Sequence, residues 1–158
     1  MPTYRINFNR TADTSVYAAG DVIGSATAAG GAVLTFPGMG GARDNIIITD
    51  ADLLINLTAV TSGMTSFRLH LYDVTPPGNL GDNAAWDLPA GDQASYLGYI
   101  DLGTPVDVGS SLFVQQLQIN KMLRMGIGTS LFAYLVTNGG FTPASGTTFY
   151  LRIGAVWV

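Results

Sequence analysis

The 158-residue chain contains no glutamate and only one lysine, Lys121. Glutamate and lysine are among the strong helix formers, whereas aspartate, which supplies every acidic group here, favours turns and caps. Without the first two, there is little from which to build solvent-exposed helices. Twenty glycines and frequent Ser, Thr and Asn point the same way, towards a mostly β chain.

Period-two alternation between turn signals then locates the strands. Thr3 to Asn9 alternates well but stands alone at the terminus. Ser15 to Gly20, with Val22 and Ile23 beyond it, is weak. Ala32 to Phe36 is better and is closed by Pro37-Gly38-Met39-Gly40-Gly41. Asn45 to Thr49 and Asp52 to Ala59 read as a pair or as one long bent strand. Phe67 to Val74 is the clearest, with Phe67, Leu69 and Leu71 on one face and Arg68, His70 and Tyr72 on the other. This is the pattern of a half-buried strand.

The Pro- and Gly-rich loop Thr75 to Asn83 ends that ladder, because proline removes donors and glycine permits unusual dihedrals. A short turn or helical piece is expected around Ala84 to Leu88, then a strand from Tyr96 to Leu102. Ser111 to Ile119 is extended, with Phe113, Leu117 and Ile119 on one face and Gln116 and Gln118 on the other, or helical as far as Met125. Leu131 to Thr137 and Thr147 to Val158 are strong strands. The last sets Phe149, Leu151, Ile153 and Trp157 against Tyr150, Arg152 and Gly154, which places Trp157 in the core.

About eight or nine strands without a βαβ rhythm predict an all-β fold, an antiparallel β-sandwich arranged as a jelly roll. The length fits one sandwich domain over residues 1–158, with residues 1–9 either its first strand or an assembly arm.

Charged residues make up 11% of the chain, against about 25% in a typical soluble domain. Such a surface lacks the repulsion that keeps folded proteins apart, so burial in an assembly is expected. The net charge is −4 and the seven cations are scattered, which argues against nucleic acid as a partner. There is no cysteine, so disulfides and thiolate metal sites are excluded. The N-terminus has no apolar core of a signal peptide, and no run reaches the roughly 18 apolar residues of a membrane span. A soluble protein made in the cytoplasm, with no membrane partner, is expected. Asn56-Leu57-Thr58 matches a glycosylation sequon and carries no weight without secretion.

Arg68, His70 and Tyr72 converge on one strand face and would suit an anion or a sugar. One histidine without a partner nucleophile makes no catalytic constellation, so the favoured reading is cover for a partly solvated sheet. Asp82, Asp87 and Asp92 are carboxylates of the type that binds calcium, but their spacing is not that of an EF-hand, and turn capping is the better account. Eleven aspartates offer many pairs for glycoside hydrolysis, none in a recognisable setting. No nucleophile elbow, P-loop or zinc motif occurs, and Gly38-Met39-Gly40-Gly41 reads as a flexible loop. No enzyme activity, cofactor or metal is expected. Tyr4, Phe8 and Trp86 are the candidate partner interface, since aromatics anchor interfaces and these three lie in a terminal segment and a polar loop.

The stretches TADTSVYAAGD from Thr11, FRLHLYDVTPP from Phe67, GDNAAWDL from Gly81, YLGYIDL from Tyr96 and FTPASGTTFYLRI from Phe141 occur in this order. Together they resemble a family of small bacteriophage proteins encoded among the virion genes, often near the major capsid protein. The resemblance runs from about Asn7 to Ile153 and is weakest between Ala28 and Asn45. It implies a virion structural role without catalytic residues, that of a capsid cement or decoration protein on the capsid exterior. The implied partners are the major capsid protein and further copies of the chain, as a trimer on threefold positions. The alternative is a carbohydrate-binding head or tail fibre module with Trp86 or Tyr72 exposed to sugar rings.

Overall fold

The computed structural model describes residues 1–158 and contains ten strands and no helix. They are β1 (Thr3–Asn9), β2 (Val22–Ile23), β3 (Leu34–Phe36), β4 (Asn45–Ile55), β5 (Phe67–Tyr72), β6 (Tyr96–Gly103), β7 (Val106–Asp107), β8 (Leu112–Arg124), β9 (Leu131–Thr137) and β10 (Thr148–Trp157). One sheet runs β1-β10-β4-β8-β7, the other β2-β9-β5-β6 with β3 also on β9, and every pairing is antiparallel.

Since β2 and β3 share the same neighbour, they count as one broken strand, and the two-residue β7 is an edge addition. The eight positions left follow the orders first-eighth-third-sixth and second-seventh-fourth-fifth. Such an order arises when two Greek keys are wrapped into facing sheets, and it makes the fold a jelly roll.

The main core lies between the sheets, where alternate residues such as Ile48, Leu53, Phe67, Leu69, Leu135 and Leu151 interdigitate. A second cluster of Val22, Ala32, Tyr72, Tyr134 and Val136 lies elsewhere, packed by Leu80, Trp86, Leu88 and Tyr96. Those last residues belong to the β5–β6 connection and its end, which folds over the outer face of the second sheet. For this reason β5 is buried on both faces rather than half-buried, with only Arg68 partly open.

Several strands depart from simple alternation. The two segments between Asn45 and Ala59 form one strand, β4, with a register shift between Ile48 and Asp50. Opposite it, β8 is extended rather than helical. Gln118 and Asn120 take positive φ angles of 58° and 52°, a bulge that increases bend and twist. Between these two residues Ile119 packs against the core, while Leu117 before them stays on the outer face, 62% exposed. Ser15 to Gly20 makes only a bridge from Tyr17 to Phe141, and Ala84 to Leu88 a bridge at Ala85 with no helical turn. Trp157 does not fill the core: it is 62% exposed at the sandwich rim, with its Nε1 donating to the Met39 carbonyl at 2.9 Å.

Residues Thr3–Asn9 pair with β10 along their whole length, from Thr3 opposite Gly154 to Asn9 opposite Thr148. Tyr4, Ile6 and Phe8 are half-buried against the core, and Phe8 stacks on Phe149 at 5.4 Å. The other edge of β1 has no strand partner.

Candidate functional site

Two surfaces gather the polar and aromatic groups. The first is the outer face of β5. His70 is 4% exposed, with Trp86 stacked on its ring at 3.8 Å and its Nδ1 sharing a hydrogen bond with the Tyr96 hydroxyl at 2.9 Å. Trp86 Nε1 donates to the Tyr72 hydroxyl at 3.1 Å, which holds the indole over the imidazole. Arg68 pairs with Asp101 at 2.6 Å and lies over the Tyr99 ring. Loss of hydration, then the Arg68 charge, pushes the His70 pKa down to about 4. The imidazole is therefore neutral at pH 7 and shielded from solvent, with the Tyr96 hydroxyl as its hydrogen-bond partner.

The same geometry places two of the aromatic candidates. Tyr72 is fully buried and offers no ring face to a sugar. Trp86 is half-buried with one face on His70.

The three loop aspartates separate. Asp92 accepts the Gly78 N–H at 2.9 Å, and the exposed Asp87 accepts the Leu88 N–H at 2.8 Å. Asp82 is buried and accepts from the Tyr17 hydroxyl at 2.5 Å and the Gly24 N–H at 2.8 Å. The three carboxylates cap turns or fix loops, each in its own place.

Asp82 leads to a cluster that alternation does not reveal. Arg10, 2% exposed, donates to the Tyr17 hydroxyl at 2.6 Å and to Asp13 at 2.7 Å, and lies 3.6 Å from Asp82. Burial, then the Asp82 hydrogen bond, drives the Tyr17 pKa upward. The group ties the end of β1 to the Tyr17 segment and the β5–β6 connection. The available sequence signal was only an arginine directly after an alternating strand.

The second surface is the outer face of the β1-β10-β4-β8 sheet, where a shallow groove of about 700 Å³ runs over the strands. Register builds its rows: Arg5 lies opposite Arg152, which lies opposite Asp52, and Asn7 lies opposite Tyr150, which lies opposite Leu54. Asp52 binds the Arg152 guanidinium, with Asp50 3.5 Å away. A Cβ at Gly154 would meet the Asp50 carboxylate at 2.1 Å, so any larger residue there would have to displace that side chain. None of these residues stands out in the sequence; only the register assembles them.

No protein-family profile and no curated protein matches the chain. Among solved structures it is similar to a chain in the capsid of Ralstonia phage GP4, at 16% identity and a TM-score of 0.45, over 98% of this chain and 84% of that one. It is also similar to a chain in the acid-stable capsid of Helicobacter pylori bacteriophage KHP30, at 11% identity and a TM-score of 0.34, over 100% and 89%. A third is a family GH115 4-O-methyl-α-glucuronidase with specificity for decorated arabinogalactans, at 8% identity and a TM-score of 0.38, over 94% of this chain and 17% of the enzyme. Likeness at this level assigns no function, and jelly rolls serve many.

Proposed function

We propose that this chain is a bacteriophage virion structural protein, a cement or decoration protein bound to the exterior of the assembled head through contacts with the major capsid protein and with its own copies. The observation that carries the reading is the open edge of β8. Only Leu112 and Phe113 pair with β7, so the strand from Val114 to Arg124 has no ladder partner on that side. Along it Leu117 is 62% exposed and Met122 64%. A long edge with exposed apolar side chains is a template for pairing with another chain unless something covers it.

The free edge of β1 offers a second such contact at the opposite side of the sheet, with half-buried Tyr4 and Phe8 beside it. Trp86 offers the partly open face of its indole on the other sheet. The low charge of the chain leaves little repulsion between copies. The ionisable groups that are buried serve the fold, as the Arg10, Tyr17 and Asp82 cluster does.

Mechanically, a protein that binds only the assembled shell stabilises it by mass action, and repeated contacts over the lattice add through multivalency. The shell then resists the pressure of packaged DNA. Mass spectrometry of washed virions, followed by cryo-EM, tests this. The expected result is the chain in stoichiometric proportion to the major capsid protein, with its density on the outer surface. Virions that lack it overturn the reading.

A further inference from the structure

We propose that the groove on the outer face of the β1-β10-β4-β8 sheet is a binding site for a carboxylate-bearing oligosaccharide. Its volume of about 700 Å³ lies within the roughly 300–1,000 Å³ range of ligand pockets. The site lies on the face of the sheet, with Arg5 and Asn7 contributed by the edge strand β1, and the inference does not depend on the capsid role.

Three features of the groove select the ligand. Tyr150 is 45% exposed on its floor, and an aromatic ring of that kind packs against the apolar C–H face of a sugar while its hydroxyl stays wet. Asn7 and Asn56 line the groove with exposed amides, each carrying both donors and an acceptor, as sugar hydroxyls require. Arg5 supplies the charge preference. It stands directly opposite Arg152 across the ladder, an unfavourable like-charge pair. Asp50 and Asp52 match Arg152, while Arg5 takes part in none of the chain's ion pairs. A carboxylate seated on Arg5 would complete the row with a bidentate pair.

The groove suits a sugar better than a protein surface. Protein interfaces are depleted in charge at their cores, and the lining of this groove includes the Arg152–Asp52 ion pair. The Arg152–Asp52 pair, held across adjacent strands, is the part of the groove that is preorganised for a small ligand.

The test uses the full chain on an array of neutral, uronic-acid and sialic-acid oligosaccharides, followed by calorimetry on the glycans bound. Carboxylated glycans are expected to bind at least roughly tenfold more tightly than their methyl esters. Arg5→Gln should erase that preference, and Tyr150→Ala should weaken both forms by roughly tenfold or more. Both variants should keep the wild-type circular dichroism and thermal transition, and both should still be incorporated into virions, which separates this site from the capsid role. Absence of binding to every acidic glycan, or binding indifferent to both substitutions, overturns the proposal. So does tight binding of an acidic capsid peptide with the same sensitivity to Arg5→Gln, since the groove would then be a protein-docking surface.

Discussion

His70 shows how far a residue's role depends on what is laid over it. On a bare strand face its imidazole would titrate near pH 6.5. Under Trp86 it is held neutral, with its pKa lowered to about 4. A folded-state pKa below the unfolded value means that the unfolded chain binds the extra proton first as pH falls. The stability that His70 contributes is therefore complete above about pH 6.5 and is lost between there and about pH 4, up to roughly 3 kcal/mol. His70→Gln should cost about 1–2 kcal/mol at pH 7.5 and flatten the dependence in that window while leaving virion association intact. Urea denaturation of both proteins at pH 7.5 and pH 4.5 measures it. An identical loss of stability on acidification in the two proteins would remove His70 as its source, and loss of virion association with an unchanged fold would assign it a functional role.

At the scale of elements, β1 carries the most consequential ambiguity. Its alternation suits a first strand and an assembly arm equally, since either uses one apolar face and a ladder of main-chain bonds. In the folded chain it covers the edge of β10, with Tyr4, Ile6 and Phe8 against the core. Partial burial of three such side chains contributes on the order of 1 kcal/mol each. Deletion of Met1 to Asn9 is accordingly expected to lower the thermal transition as well as to expose β10. A truncated protein with an unchanged transition that no longer oligomerises or binds capsids would show instead that the segment acts as an arm. The transition temperature, read beside light scattering, separates the two.

For the whole molecule, open β1 and β8 edges at opposite sides of one sheet let copies join edge to edge. Such joining gives rings where the rotation closes. A trimer is expected at micromolar concentration, consistent with a place at a threefold position of a capsid lattice. Multi-angle light scattering gives the mass directly. A clean monomer both free and on capsids would require that each copy contact the shell alone. Replacing Leu117 and Met122 with polar residues should shift the free protein towards monomer without loss of its thermal transition, because both side chains already face solvent.

The amino-acid sequence by itself determined the class of fold, because the absence of glutamate and the single lysine leave little to build helices from, and period-two runs such as Thr3 to Asn9 and Leu131 to Thr137 mark strands at their observed limits. Those signals are local, depending on a residue and its neighbours two positions away. What depends on distant segments was decided only by the tertiary structure. Trp86 seals His70 from another loop, Arg10 meets Asp82 across 72 positions of chain, and a bulge in β8 turns Ile119 inward while Leu117 stays out. The groove has the same origin. Arg5, Asp52 and Tyr150 come from three strands, and antiparallel register, set by which side chains can be buried together, is what makes them neighbours.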